Sequence, residues 1–231
     1  MRARYPAYID SMAEETTITW PEGRVSGRLA GSGPVGVLLA HGAGTDQDHP
    51  FMSALRDGLA ESGHTVMTFN YPYTERGSKR PDRTEKLVET HRAAAGFLAE
   101  RVDRLFLAGR SMGGRMATYL VAEGYPAAGV VLYAYPLHPA GQEDKLRVAH
   151  FPDVHVPLLF FQGTRDALSR MELFDRHIRT LPNVTVELLE GAAHSFRGGG
   201  WAEGDMVQRL VSGTTTWIET ISSGRSPVTG P

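Results

Sequence analysis

Short apolar runs along the chain end in glycine or another turn residue, and helical spacing of apolar positions follows most of them. Residues 35–40 run into His41-Gly42-Ala43-Gly44, after which Phe51, Met52, Leu55 and Leu59 mark one helical face. Residues 65–69 read as the next strand, followed by a polar, proline-containing loop through Asp82. Leu87, Val88, His91, Ala94, Ala95 and Leu98 have the spacing of a buried helical stripe. Residues 105–108 form a strand ending at Gly109, with a second stripe behind it at Gly113, Met116, Ala117, Leu120 and Val121. Residues 129–133, 158–162 and 184–189 read as further buried strands, with a helix over 170–180 before the last. A closing helix carries Met206, Val207, Leu210, Val211, Trp217, Ile218 and Ile221. Apolar strands alternating with amphipathic helices predict an α/β fold, with a mostly parallel central sheet and helices on both faces. Residues 16–20 and 24–29 add an antiparallel entry hairpin.

The pattern divides the chain into an N-terminal extension (1–15), one α/β domain (16–221) and a loose, small and polar C-terminal tail (222–231). No repeat or linker interrupts the domain. Only about two dozen residues separate Tyr133 from Leu158, enough for a loop and one short helix but not for a cap domain. An open, shallow site is the corresponding expectation.

Composition narrows the chemistry. A net charge of −2 supplies no global basic field for nucleic acid or an anionic membrane. The chain has no cysteine, which excludes disulfides, thiol nucleophiles and Cys-ligated metals and is compatible with a reducing cytoplasm. The first ten residues carry basic side chains without an apolar stretch behind them, so no secretory leader is expected. No membrane span is expected either, since the longest run free of strongly polar residues, 127–136, is far too short. No His/Asp/Glu set has metal-ligand spacing, and neither a metal nor a cofactor is expected.

Three loops remain that suit chemistry. The strand at 105–108 turns through Gly109-Arg110-Ser111-Met112-Gly113, a G-x-S-x-G turn that projects the serine hydroxyl over the carboxyl edge of a sheet. The plainer reading is a glycine-rich helix start with a capping serine. A serine nucleophile needs a base oriented by a third group. Further along, Gly163-Thr164-Arg165-Asp166 follows one strand and Glu190-Gly191-Ala192-Ala193-His194 follows another. Singly, Asp166 could cap a helix and His194 could be an ordinary loop histidine. Together, Ser111, Asp166 and His194 have the types and order of a Ser–Asp–His triad. An oxyanion would take donors from the Met112 amide, just after the nucleophile, and from the Ala43 amide in the earlier glycine-rich loop. That loop fails as a dinucleotide-binding turn, because Gln47 stands at the third glycine position. A P-loop fails as well, because Arg115-Met116 replaces Lys-Ser/Thr. His49 and Tyr73 are candidate pocket walls at the same edge. Arg110 would either bias the pocket toward anions or, as the better expectation, pair with a nearby carboxylate.

With His41-Gly42-Ala43-Gly44, Arg80-Pro81-Asp82-Arg83 and Gly109-Arg110-Ser111-Met112-Gly113 in place, the chain resembles the α/β-hydrolase superfamily from about Thr16 to Ile221. It looks closest to small dienelactone-hydrolase-like members, within a lidless subgroup that contains a testis-expressed protein and a subunit of the nuclear non-specific-lethal complex. It departs from dienelactone hydrolases proper in lacking their cysteine nucleophile. The resemblance implies a serine hydrolase acting on a small acyl ester or thioester through an acyl-enzyme, without a cofactor. A binding or scaffold protein that keeps the fold, and an acyltransferase or perhydrolase using the same triad, stand as alternatives. The expected partner is a small-molecule acyl substrate rather than nucleic acid or membrane, and the oligomeric state is left open.

Overall fold

The computed structural model describes residues 13–224; the expected extension through residue 12 and the tail from 225 lie outside the described residues. Eight strands form one sheet in the order β1-β2-β4-β3-β5-β6-β7-β8. Strands β1 (Glu14–Trp20) and β2 (Gly23–Ala30) make the expected hairpin, and β2 also pairs antiparallel with β4 (Thr65–Phe69). From β4 onward the sheet is parallel, through β3 (Val35–Ala40), β5 (Arg104–Arg110), β6 (Gly129–Tyr133), β7 (Leu158–Gly163) and β8 (Val184–Leu189).

Alternating side chains feed two separate cores, as a period of two residues requires. On one face Leu38, Leu107, Val130 and Phe160 pack with α3 (Thr84–Ala99) and α4 (Met112–Ala122). On the other, Val37, Leu39, Phe106, Val131 and Phe161 pack with α1 (Pro50–Glu61) and α6 (Glu203–Ser222). Covering both faces makes the central strands almost wholly apolar, which is why they read as continuous runs.

Several boundaries depart from the sequence reading. The first strand starts at Glu14, inside the stretch expected as extension, because residues 14 and 15 continue the ladder opposite Leu29 and Arg28. The loop expected through Asp82 contains a single-turn helix, α2 (Pro72–Glu75), too short to show periodicity. The helix expected over 170–180 is only α5 (Met171–His177). Between β6 and β7 the chain forms loops and one 3₁₀ turn, Phe151–Asp153, and no cap domain. Among the described residues no helix is long and apolar enough to cross a membrane.

The topology selects one place for a site. From β3 the chain steps outward to β4 and then returns to the opposite side of β3 as β5. The connections therefore diverge at the carboxyl ends of β3 and β5, and crevices in open α/β sheets form at such switch points. Ala40 and Gly109 are register partners, so the two strands deliver their loops at the same height.

Candidate active site

Ser111 sits between β5 and α4 with φ 50° and ψ −113°, outside the comfortable range for a residue with a Cβ. The turn is tight because β3, β5 and α4 nearly touch. A Cβ on Gly113 would stand 2.3 Å from the Ala40 carbonyl oxygen, and one on Gly109 would stand 2.4 Å from the Gly113 carbonyl carbon. Only glycine lets the helix start so close to the strand that feeds it. The Ser111 N–H donates to the Tyr133 carbonyl at 2.9 Å, tying the turn to the end of β6.

The Ser111 side chain makes no capping hydrogen bond to its own helix, which sets aside the plainer reading of this serine. Its Oγ lies 2.9 Å from His194 Nε2, and His194 Nδ1 lies 2.8 Å from Asp166 Oδ2. The three side chains that follow β5, β7 and β8 in sequence thus meet in one continuous chain of hydrogen bonds. The Asp166 side chain is fully buried, while that of His194 is a quarter exposed. Asp166 Oδ2 also accepts from Gln162 Nε2 at 2.7 Å, and Oδ1 accepts from the Leu168 N–H at 2.8 Å. These donors orient the carboxylate so that His194 Nδ1–H can donate to it, which leaves the Nε2 lone pair facing the serine hydroxyl.

Gln162 was not among the candidates from sequence. The only signal for it is a polar residue closing the otherwise apolar strand β7, four residues before Asp166. A second unforeseen contributor is His41. Its Nδ1–H donates to the Gly42 carbonyl at 2.8 Å, and its Nε2 accepts from the Tyr71 N–H at 3.3 Å. Burial pushes its pKa down to about 4, so the ring is neutral and both contacts are consistent with one tautomer. His41 therefore pins the loop after β3 to the segment after β4.

That loop carries Ala43, which is exposed. A Cβ on Gly42 would stand 3.5 Å from the Arg110 carbonyl oxygen and 3.7 Å from the Ser111 Cβ, so the loop lies against the nucleophile turn. Met112 opens α4, where the first amides have no partner within the helix.

The remaining candidates separate. His49 caps α1, its Nδ1 accepting from the Phe51 N–H at 3.2 Å. With Phe51, Arg110, Ser195 and Arg197 it lines a pocket of about 220 Å³. The Arg110 guanidinium lies 5.3 Å from the centre of the Phe51 ring. Tyr73 does not wall this pocket. It is fully buried, edge-on to His41 at 6.0 Å and stacked on Tyr71 at 6.3 Å, because α2 turns its aromatic face inward beneath the loop. Among the described residues, no group of three or more His, Asp or Glu side chains is placed to hold a metal ion.

Comparison with solved structures gives the same fold. A dienelactone hydrolase from Anabaena variabilis is 19 % identical with a TM-score of 0.71, covering 90 % of this chain and 98 % of its own. An a/b serine hydrolase without lid from Xanthomonas campestris is 21 % identical with a TM-score of 0.67, covering 95 % and 98 %. Est1E from Butyrivibrio proteoclasticus, with ferulic acid bound, is 12 % identical with a TM-score of 0.74, covering 90 % and 99 %. A family model described as the alpha/beta hydrolase domain matches residues 34–219, from the strand that carries the glycine-rich loop to the helix that closes the second core. On that match the chain belongs to the alpha/beta hydrolase domain family.

Proposed function

We propose that the chain is a serine hydrolase cleaving small acyl esters or thioesters through an acyl-enzyme. The observation that carries this reading is the unbroken contact from Asp166 through His194 to Ser111, at 2.8 and 2.9 Å. As His194 Nε2 takes the hydroxyl proton, Ser111 Oγ bonds to the substrate carbonyl carbon. The negative charge on the tetrahedral oxygen is met by the Met112 and Ala43 amides. Collapse breaks the bond to the leaving group, which receives the proton from His194. Water then attacks the acyl carbon while His194 takes one of its protons. The second collapse releases the acid and returns that proton to Ser111. Throughout, Asp166 keeps Nδ1 protonated and stabilises the transient imidazolium. No step needs a cofactor.

The short connection between β6 and β7, with only a 3₁₀ turn, leaves the serine reachable without a lid and suits short acyl groups. A cytoplasmic setting and a small-molecule partner go with this reading, which the net charge of −2 also favours over nucleic acid or a membrane surface.

A fluorophosphonate tests the proposal without knowledge of the substrate. Covalent labelling is expected at Ser111 alone among 13 serines, lost in Ser111→Ala and strongly reduced in His194→Ala, with both variants folded by circular dichroism. Folded native protein that fails to label with probes of several sizes would instead favour a binding role for the fold.

A further inference from the structure

The two amides assigned to the oxyanion are held in different ways. The Met112 N–H is the first amide of α4, and the helix fixes its direction. Ala43 lies in an exposed turn between β3 and α1, where no helix or strand aims its N–H. Glycine at 42 adds freedom, because the peptide unit joining Gly42 to Ala43 can rotate about a residue without a Cβ. A donor that must already face the developing charge needs some other restraint.

That restraint acts on the opposite side of the same peptide unit. The Gly42 carbonyl accepts from three donors: the His41 Nδ1–H at 2.8 Å, the Thr45 hydroxyl at 2.9 Å and the Thr45 N–H at 3.4 Å. Gly44 has φ 73°, the left-handed value that suits glycine at the third position of a turn. The C=O and N–H of a trans peptide point in opposite directions. Holding the Gly42 oxygen toward His41 and Thr45 therefore turns the Ala43 N–H away from both. Among the described residues that N–H donates to no acceptor. A Cβ on Gly42 would stand 3.7 Å from the Ser111 Cβ, which puts this peptide unit beside the attacking hydroxyl.

The loop as a whole does not depend on Thr45. At one end His41 Nε2 accepts from the Tyr71 N–H at 3.3 Å. At the other, Gln47 donates its N–H to Asn70 Oδ1 at 3.0 Å and its Nε2–H to Ser26 Oγ at 2.7 Å. Both ends are thus tied to neighbouring elements. Removing the Thr45 hydroxyl frees the peptide unit and leaves the loop in place.

We propose that Thr45 is a positioning residue for the reaction: its hydroxyl, with the His41 ring, holds the Gly42 carbonyl so that the Ala43 N–H faces the developing oxyanion. The proposal rests on the serine hydrolase reading and accounts for a fixed donor in an exposed turn.

Exchanging one atom of the substrate isolates the oxyanion. 4-Nitrophenyl acetate develops its charge on oxygen, whereas the thiono analogue, O-4-nitrophenyl thioacetate, develops it on sulfur, a larger and weaker acceptor. The native protein is expected to prefer the oxygen ester. Thr45→Val keeps the shape and loses the hydroxyl. Its kcat/KM for the oxygen ester should fall about tenfold or more, short of the roughly 10²–10³ that deleting an oxyanion donor costs. The thiono ester should lose much less, so the preference for oxygen over sulfur shrinks. Thr45→Ser restores the hydroxyl and should restore the native rate and preference. Thr220→Val, which removes a hydroxyl bonded to the Thr216 carbonyl on α6, should change neither. If circular dichroism shows Thr45→Val to be unfolded, Thr45→Ala takes its place in the same comparison. An unchanged rate, an equal loss on both esters or no rescue by Thr45→Ser overturns the role of Thr45, while fluorophosphonate labelling of the native protein at Ser111 persists. Folded native protein that does not label overturns the hydrolase reading, and the role of Thr45 with it.

Discussion

Replacing Asp166 with Asn tests the relay through hydrogen-bond directions alone, since the side chain keeps its shape. Asp166 Oδ2 accepts from both His194 and Gln162, and Oδ1 accepts from the Leu168 N–H. An asparagine has one oxygen and one NH₂ for these three donors. With its oxygen toward His194, its NH₂ opposes the Leu168 N–H, a donor-to-donor contact in a buried place. The other orientation turns the NH₂ toward His194 and Gln162. Gln162 can adapt to it, because its Oε1 is buried with no partner among the described residues and can turn to accept. His194 then adapts by moving its proton to Nε2, so that nitrogen can no longer take the proton from Ser111. The same tautomer error in serine proteases costs about 10⁴ in kcat, close to 5.5 kcal/mol of transition-state stabilisation. A loss of that order is expected in kcat/KM for 4-nitrophenyl acetate, with a parallel fall in the fluorophosphonate labelling rate and an unchanged circular dichroism spectrum. Turnover within tenfold of the native value would refute the reasoning and remove Asp166 from the proposed triad.

Two further outcomes follow from packing and from burial. Gly113→Ala puts a Cβ 2.3 Å from the Ala40 carbonyl oxygen and should cost several kcal/mol or prevent folding, whereas Gly96→Ala, on α3 with nothing within 4 Å, should stabilise by about 0.5–1 kcal/mol; urea midpoints compare the two, and a Gly113→Ala protein as stable as the native would contradict the close approach of β3 and α4. Burial lowers the pKa of His41 to about 4 and that of His91 to about 3, and with help from Arg115 lowers that of His150 to about 4. Unfolding exposes these rings to water, where each binds a proton near pH 6.5, so the unfolded state takes up more protons and stability falls as pH drops from about 6.5 toward 4. The loss is on the order of a few kcal/mol for each of the two most buried rings, His41 and His91, and the part between pH 6.5 and 5 lies above most carboxylate titration. Thermal midpoints that stay level over that interval would show that these histidines are hydrated in the folded protein.

How far the fold was legible follows from which side chains face apolar surroundings. Strands β3, β4, β6 and β8 begin and end where the runs read from the sequence do, and β3 holds no polar side chain because both sheet faces are covered there. β5 extends past its apolar run, to Arg104 and Arg110, because backbone pairing with β3 and β6 continues whatever the side chain. The helix α2 has four residues and only Pro72 and Tyr73 buried, which leaves too few positions to define a period. Ser111, Asp166 and His194 were readable for a topological reason: each follows a parallel strand, and parallel strands deliver their following loops to one edge. Gln162, near the end of β7, and His41, just after β3, were not, since both act through specific atoms whose approach to their partners depends on tertiary packing. The same limit explains Tyr73, whose position near the edge was legible but whose inward direction was set by stacking on Tyr71.

The distribution of backbone strain bears on whether the site is used. Among the described residues, four other than glycine have positive φ: Ser111, Ala134, Asn183 and Phe196. Asn183 precedes β8 at the opposite edge of the sheet, and asparagine tolerates that conformation in turns. The other three lie directly after β5, directly after β6 and two residues beyond His194. Ala134 is fully buried and its N–H donates to the Phe161 carbonyl at 2.9 Å, while Phe196 packs its ring on Phe51. Each such conformation costs on the order of 1–3 kcal/mol and persists only where its surroundings over-determine it. An ordinary capping serine has extended backbone and bonds its hydroxyl to an amide of its own helix. Ser111 does neither: its φ is 50°, and its hydroxyl lies 2.9 Å from an imidazole nitrogen 83 residues away. The strain at Ser111 therefore accompanies a hydroxyl held against an imidazole, the arrangement that the proposed nucleophilic attack requires.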